Sequence, residues 1–559
     1  MTFAHFPFCE RLSDQSSRGF FKQAGNIFSL SSGAYHYPHL LGLRAVSKLA
    51  INWCGHRYVC QRFLTPTYNM AKALSRCVGR SSCAAASFEF RSFATEPAEW
   101  ASREFGPAVL SDARHRRRLC LMATAFAHMP TAPIPQACPN AAEAKAAYRF
   151  LENEAISPQA LRAGHQQATL ERVRRHPLVL AIQDTTTLNY TTHPKTRGLG
   201  PIGSRDGPLM GLLLHSTLAL TPAGQPLGFL HNAVRARCGA GKLVHRHRRK
   251  LEHKESYKWV ESLQACQALA AQCPQTQLVN VADREGDLYE LFAQALAVPA
   301  AARVQLLVRA RHDRKLADRA GKLWAEVGRR PVAAMLSVRV GRKGDQPSRV
   351  ARLQLRFGPV NLRGPSLATG APSLPVWAVE AREVSASPGA TPILWRLLTT
   401  LPVTSAQAAA EKVGWYAQRW QIEVIHKILK SGCQIEQRQL ETAKRLERVL
   451  AIDLVVAWRI LALCKAAREL PADPISDWLP TAQWQALYCY VTRRTTPPKQ
   501  PPGVRQAVRW IAQLGGFLAR KGDGEPGVKT LWRGMQQLEA MSKMWRVFHL
   551  KERSRKCGQ

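Results

Sequence analysis

Three acidic side chains in this sequence occupy positions from which carboxylates could do chemistry. The apolar run in "PLVLAIQDTTTLNY" ends in Asp184, and the run in "QLVNVADREGDLYELF" ends in Asp283, just before a helical pattern. Glu423 lies among basic residues in "YAQRWQIEVIHKILK". Three carboxylates suit two Mg²⁺ or Mn²⁺ ions, which prefer oxygen ligands. Two such ions can cleave a phosphodiester without a protein nucleophile. The alternative for either aspartate alone is a cap on the following turn or helix.

The segment that carries Glu423 is predicted to be a helix with two different faces. At about 100° per residue, one narrow stripe contains Tyr416, Arg419, Glu423, Lys427 and Lys430, and this stripe is predicted to meet water. The opposite side is apolar and is predicted to be buried: Ile422, Ile425, Ile428 and Leu429. A solvent-exposed pair of Glu423 with Lys427 at i,i+4 would explain one of these cations but not the whole stripe.

The elements that must position these residues can be outlined from the same patterns. Short apolar runs before Asp184 and Asp283 predict buried strands. Alternating segments between about 303 and 400 predict further strands, and helical patterns flank this region on both sides. Periodicity therefore predicts a mixed α/β chain with flanking helices.

The charge of the chain indicates its class of partner. Its 559 residues include 79 Lys and Arg against 39 Asp and Glu, which leaves +40 and a pI near 10.4. Such an excess favours a nucleic acid, whose backbone is neutralised electrostatically. A membrane partner is not favoured, because no apolar run approaches the ~18 residues of a spanning helix. A nucleotide site is not predicted either, since Val528 separates Gly527 from Lys529 in "GDGEPGVKT".

The spacing of Tyr416, Arg419, Glu423 and Lys430 resembles the "YREK" signature of the IS-four family of DDE transposases. Four other stretches resemble the same family: "AIQDTTTLNY", "HKESYKW", "VADREGDLYE" and "GGFLARKGDGEPGVKTLW". Together with the signature, they follow one another along the chain in the order that the family has. The resemblance covers residues 93 to 549. It implies an RNase H-like α/β catalytic core with a β-rich insertion, flanked by helical N-terminal and C-terminal domains.

The resemblance also implies a domain order. Residues 93–177 are expected to bind transposon ends, residues 178–450 to form the catalytic domain with its insertion at about 303–400, and residues 451–549 to dimerise. Residues 550–559 are a basic tail. Residues 1–92 match nothing in the family, and are interpreted as an over-extended start of translation or as a basic, Ser-containing transit segment.

The family's functional residues can be transferred to matching positions here. Asp184, Asp283 and Glu423 become the catalytic, metal-binding acids, with two Mg²⁺ or Mn²⁺ ions per site. The positions that match DNA contacts are Tyr416, Arg419, Lys427, Lys430, Trp395, Arg309, Lys258, Arg114, Arg118 and Arg149. Trp395 matches an aromatic that accommodates a flipped base. The alternatives are a tryptophan within a strand, and simple surface charge for Arg309 and Lys258. His115 stands where the family has an arginine.

The function implied by the resemblance is metal-dependent cut-and-paste transposition of an insertion sequence. Its steps are cleavage at the 3′ end, hairpin formation and opening, and strand transfer. The implied partners are double-stranded DNA, as terminal repeats and target, and a second copy of the chain. The implied location is the bacterial cytoplasm, at the nucleoid when DNA is bound. Two alternatives remain open: an inactive DNA-binding relic or inhibitor, and an RNase H-like nuclease without end specificity.

Overall fold

The computed structural model of the chain describes residues 98–203, 209–237, 250–340, 349–365, 370–386 and 391–556. The N-terminal extension over residues 1–92 lies outside these ranges, as do residues 557–559 of the basic tail.

Five helices form the N-terminal part of the described chain. Polar side chains start three of them, since Asp112, Asn140 and Ser157 each accept a hydrogen bond from a backbone N–H in the first turn. The helices are α1 (Glu99–Phe105), α2 (Ala113–His128), α3 (Ile134–Ala137), α4 (Ala141–Glu152) and α5 (Pro158–Val173). Their apolar faces pack into a core that is shared with the rest of the described chain.

A mixed sheet lies at the centre of the described residues. Its strands are β1 (Leu178–Asn189), β2 (Gly200–Pro201), β3 (Met210–Leu220), β4 (Pro226–Arg235), β5 (Gln277–Ala282), β6 (Gln305–Arg309), β7 (Ala334–Val340), β8 (Arg349–Leu362), β9 (Leu374–Glu383) and β10 (Leu394–Thr399). Three helices lie between strands: α6 (Tyr257–Ala270), α7 (Tyr289–Leu296) and α8 (Leu323–Arg329).

The first half of the sheet has the strand order of an RNase H-like fold. Strands β4, β3 and β1 pair antiparallel, and β5 and β6 follow parallel to β1. Helix α7 connects the parallel strands β5 and β6, as a parallel crossover requires. Strand β1 is buried on both faces: Leu180 and Ile182 lie in one core, and Val179 and Ala181 in the other. This explains its continuous apolar run.

The β-rich insertion continues the same sheet. Strand β10 pairs antiparallel with β6, and β9, β8 and β7 follow in that order to the far edge. The RNase H-like strands and the insertion therefore share one hydrogen-bonded sheet. The predicted fold class, an RNase H-like α/β core with a β-rich insertion between helical regions, is confirmed.

Helices follow the last strand. They are α9 (Ala406–Ala417), α10 (Gln421–Lys427), α11 (Ala443–Glu469), α12 (Thr481–Thr492), α13 (Val504–Leu514) and α14 (Val528–Lys556). The 27-residue helix α11 is almost completely buried and packs against α2, α5, β4 and α13. No helix in the described ranges has both the length and the apolar character needed to cross a bilayer.

A buried carboxylate joins the N-terminal helices to the sheet and to α11. Glu104 on α1 accepts hydrogen bonds from His165 Nδ1 (2.6 Å) and Arg172 Nη1 (2.7 Å), both on α5. The backbone N–H of Phe229 on β4 donates to His165 Nε2 at 3.0 Å, so the imidazole is neutral and carries its proton on Nδ1. The Arg172 guanidinium lies 4.5 Å from the ring centre of Trp458 on α11.

This cluster predicts a loss of stability in acid. Burial alone raises the pKa of Glu104, but the hydrogen bonds from His165 and Arg172 and the charge of Arg172 lower the pKa below its usual value of 4.5. A depressed carboxyl pKa gives stability that is present above pH 4.5 and is lost as the pH falls from 4.5 through the lowered pKa. We expect the free energy of unfolding of Glu104→Gln, measured by urea titration, to depend less on pH in this window than that of the unsubstituted chain. Equal slopes for both would contradict the assignment.

Candidate active site

Two of the predicted acids lie side by side just beyond the point where β1 and β5 stop pairing in parallel. The prediction that both aspartates end their strands is correct for Asp283 but wrong for Asp184, because β1 continues to Asn189 in antiparallel pairing with β3. Strands β1 and β5 are paired in parallel up to Ile182 and Val281. Asp184 and Asp283 each lie two residues beyond this pair, and neighbouring strands are ~4.8 Å apart. The topology therefore brings together two carboxylates that are separated by about a hundred residues of chain.

The surroundings of the two aspartates differ. Asp184 is 5% exposed, and its Oδ1 accepts the Thr185 N–H at 2.7 Å. Asp283 Oδ1 accepts the Glu285 N–H at 2.8 Å and so caps a short 3-10 turn, the role that the sequence left open as an alternative. Burial, and then the negative charge of Asp184, raise the pKa of Asp283, although Arg419 acts in the opposite direction. The two carboxylates are thus close enough to repel each other.

Arg419 joins the third acid to this pair. Its Nη1 donates to Asp184 Oδ2 at 3.3 Å, and its Nη2 donates to Glu423 Oε1, one helical turn along the chain. The exposed fractions of the three side chains are 14% for Arg419, 8% for Asp184 and 18% for Glu423. Burial lowers the pKa of Arg419, but its neighbours, Tyr416 and the three carboxylates, reverse this and raise it. One guanidinium therefore balances part of the charge of three clustered carboxylates.

The segment 416–430 is not one regular helix. Helix α9 ends at Ala417, a 3-10 turn spans Gln418–Trp420, α10 spans Gln421–Lys427, and a π-helical turn spans Ile428–Gly432. Arg419 lies on the 3-10 turn, and Lys430 lies on the π turn. Such interruptions within a helix often occur at hinges and functional sites.

The predicted apolar face of this segment is confirmed, since its members are completely buried: Ile422, Ile425, Ile428 and Leu429. The prediction that the whole opposite stripe meets water is wrong for Tyr416. This side chain is 5% exposed and packs edge-on against Trp395, with ring centres 5.5 Å apart. The 3-10 and π turns on either side of α10 rotate the chain by a different angle per residue than an α-helix does. A prediction that applies about 100° per residue throughout the segment therefore misplaces some side chains around the helix axis.

The donor chemistry of the cluster suits a hard divalent cation, since three carboxylates surround a single guanidinium and leave an excess of negative charge. Their present arrangement is not a finished ion site. Within the described ranges, no three His, Cys, Asp or Glu side chains are grouped so that they could hold a metal ion. The Arg419 guanidinium bridges two of the three acids. An ion would therefore require movement of Arg419.

The other predicted DNA contacts near the cluster have different surroundings. Lys427 is exposed, and Lys430 Nζ lies 3.7 Å from Glu436 Oε1. Arg309 donates to the Leu394 carbonyl at 3.3 Å and also interacts with Tyr416. Trp395 is 1% exposed within β10, so a base could stack on its indole only after neighbouring side chains move.

Lys258 is buried, with 6% of its surface exposed, and its Nζ lies 3.5 Å from Glu255 and 3.4 Å from Glu285. Simple surface charge, the alternative for Lys258, is therefore wrong. A phosphate would have to compete with these two carboxylates for the ammonium group.

The N-terminal arginines lie apart in sequence from the acidic cluster, on helices α2 and α4. Arg114 is highly exposed and pairs with Asp112 at 2.8 Å, while Arg118 pairs with Glu143 and Arg149 is exposed. His115 packs edge-on against Phe150, with ring centres 6.1 Å apart. The exposed cations of α2 and α4 are thus available to an anionic partner.

Sequence reasoning missed a buried polar network behind Asp184 and Asp283. His215 Nε2 donates to Gln183 Oε1 at 2.9 Å, and Thr185 Oγ1 donates to His215 Nδ1 at 2.9 Å. Gln183 also donates to Asn280 on β5. Because side chains alternate along a strand, these residues support β1 and β5 from the face opposite Asp184. The sequence contained one signal of this network: Gln183 and Thr185, on either side of Asp184, are polar residues at the end of an apolar run.

Comparison with known families gives two matches, one at each side of the catalytic core. Residues 97–156 match the family described as transposase DNA-binding, and residues 455–549 match the transposase Tn5 dimerisation domain. Among solved structures, the chain is similar to a piggyBac transposase in a cryo-EM synaptic complex with hairpin DNA, with 8% identity and a TM-score of 0.28. That match covers 70% of this chain and 57% of the piggyBac chain, a little over half its length.

Proposed function

We propose that this chain, a Tn5-like transposase of the IS-four family, cuts an insertion sequence from DNA and joins it to a target in a divalent-metal-dependent reaction. The observation that carries the proposal is the convergence of Asp184, Asp283 and Glu423 around Arg419, just beyond the parallel pairing of β1 and β5 in an RNase H-like sheet. The flanking regions that match transposase DNA-binding and dimerisation domains support a DNA substrate and a homodimer.

The three acids would hold the metal. Mg²⁺ or Mn²⁺, when bound there, would activate the attacking oxygen and stabilise the leaving oxygen of a phosphodiester. The chain's own cations position the DNA: Lys427 is exposed on α10, Lys430 follows on the π turn, and Arg309 reaches the same region from β6. Phosphate contacts of this kind fix the register of DNA without reading its sequence.

The resemblance to the transposase family implies the reaction sequence. Water attacks the phosphorus at the transposon end and releases the 3′ hydroxyl of the transposon strand. This hydroxyl attacks the phosphorus of the opposite strand, displaces the 3′ oxygen of the flanking DNA and closes a hairpin. A second water opens the hairpin, and the freed 3′ hydroxyl attacks a phosphorus of target DNA and displaces the 3′ oxygen of the target strand. Exposed arginines on α2 and α4 would bind the terminal repeats and hold the end in place.

The experiment that tests the proposal uses the full chain, Mg²⁺ and a DNA fragment that carries the terminal repeats of the element encoding it. We expect discrete cleavage at the repeat ends, together with a hairpin product on a denaturing gel. A fragment with scrambled repeats is the control and should stay intact. Cleavage of both fragments would favour a general nuclease, and binding without cleavage would favour an inactive DNA-binding relic or inhibitor.

A further inference from the structure

The guanidinium of Arg419 lies where a cation shared by two of the acids would lie. Its two terminal nitrogens donate to different carboxylates, Nη1 to Asp184 and Nη2 to Glu423. The three side chains are largely buried, so this contact is made with little solvent between the partners. Arg419 thus acts as an internal counter-ion for acids that come from β1 and α10.

A divalent ion and this guanidinium compete for the same oxygens. A cation coordinated by Asp184 and Glu423 would stand within a few ångströms of Arg419, and the repulsion between two positive charges with little water between them opposes this arrangement. Arg419 must therefore leave at least one carboxylate before an ion can be held between them. The absence of a ready three-ligand group in the described ranges agrees with this requirement.

Arg419 has an alternative partner when DNA is present. The planar guanidinium can grip a phosphate with two parallel hydrogen bonds, and the phosphate replaces the charge that the carboxylates supply. Lys427 and Lys430 lie on the same segment and attract a DNA backbone to it. The 3-10 turn that carries Arg419 lies between α9 and α10, a place where a small change in backbone angles can re-aim the side chain.

We infer that Arg419 couples metal binding to DNA binding: in the DNA-free chain it occupies the carboxylates, and a DNA phosphate draws it away and frees them for the divalent ion. This inference rests on the proposed function, because it takes Asp184, Asp283 and Glu423 as the ion's ligands. The coupling is reciprocal, so the ion also strengthens DNA binding. The chain would then assemble its metal site only where DNA is in place.

The test measures binding of Mn²⁺ to the full chain by the loss of the free-ion electron paramagnetic resonance signal. For the unsubstituted chain, saturating duplex that ends in the terminal repeat should raise the Mn²⁺ affinity about tenfold, within the usual range of such couplings. For Arg419→Gln, the DNA-free affinity should already be about tenfold higher, and the duplex should change it little. Mn²⁺ bound by the duplex alone is measured separately and subtracted.

Two further variants make the result specific. Arg329→Gln removes the same charge from a well-exposed position on α8, outside the proposed site, and its loss should change the DNA-free Mn²⁺ affinity by less than about threefold. Arg419→Lys keeps the charge but loses the two-pronged bridge, so it should give an intermediate affinity. Thermal unfolding of each variant shows whether the fold is retained.

The possible outcomes separate this inference from the proposed function. An Arg419→Gln chain that is folded and has the DNA-free Mn²⁺ affinity of the unsubstituted chain, or a lower one, overturns the inference. If Asp184→Asn abolishes DNA cleavage in the same preparations, the proposed function still stands. An unsubstituted chain that takes up no Mn²⁺, with or without the duplex, overturns both.

Discussion

Asp184→Asn is expected to lower the rate of DNA-end cleavage by about 10³-fold, the scale of losing one main electrostatic stabiliser of a transition state. Asparagine has the same shape and can still accept the Thr185 N–H, so the fold should be retained. What is lost is one of the charges that an ion at this site requires. Single-turnover cleavage of a labelled terminal-repeat fragment in Mg²⁺ measures the effect.

DNA binding provides the internal control for this variant. Asp184 is acidic and largely buried, so its replacement should leave the affinity for the terminal repeat, measured by gel shift without metal, within about threefold. Glu285→Gln is the matched control, since it removes a carboxylate close to Asp283 that is well exposed. It should cut at close to the unsubstituted rate. Undiminished cleavage by Asp184→Asn would remove this residue from the mechanism.

The second large effect is on stability and concerns the buried pair of Arg438 and Asp453. The Arg438 guanidinium donates to both carboxylate oxygens of Asp453, at 3.0 and 3.1 Å, and to the Ala132 carbonyl at 3.0 Å. It also lies 4.7 Å from the ring centre of Phe126 on α2. Both side chains are at most 3% exposed. Burial raises the pKa of Asp453, and Arg438 opposes this rise.

Asp453→Ala leaves the Arg438 charge buried without its partner, and should lower the free energy of unfolding by about 3–5 kcal/mol. Urea unfolding followed by circular dichroism measures this loss. The double variant Arg438→Met, Asp453→Leu removes both charges and should recover most of the stability. Asp523→Ala, which breaks an exposed pair with Arg520, should leave the transition unchanged. If Asp453→Ala had the same free energy of unfolding as the double variant, the pair would contribute little to stability.

The two aspartates could be predicted from the sequence because a strand buried on both faces gives a continuous apolar run, although β1 continues beyond Asp184 to Asn189. Asp184 and Asp283 stand where such runs stop, and parallel pairing of β1 with β5 then places them together. The apolar face of α10 could be predicted for a similar reason, because it follows helical periodicity. Both are local signals that the tertiary structure leaves intact.

Other features depend on contacts that no local pattern contains. The bridge from Arg419 to Asp184 spans 235 residues of chain, so the sequence shows the arginine but not its partner. Trp395 and Tyr416 bury each other across β10 and α9, although a regular helix would have placed Tyr416 towards solvent. Lys258 resembles surface charge in sequence, and its burial depends on Glu255 and Glu285. The catalytic roles of the acids and the base-stacking role of Trp395 stay predictions.

The long helix α11 has a consequence for how this protein can be taken apart. The matched dimerisation region begins at residue 455, and the expected catalytic region ends at residue 450, but α11 runs without interruption from Ala443 to Glu469. A fragment that began or ended at residue 450 or 455 would divide the helix and expose apolar side chains that pack against β4 and α5. Chimaeric chains made from related transposases, by natural recombination or by engineering, should therefore fold when the junction lies outside α11 and fail to fold when it lies inside this helix.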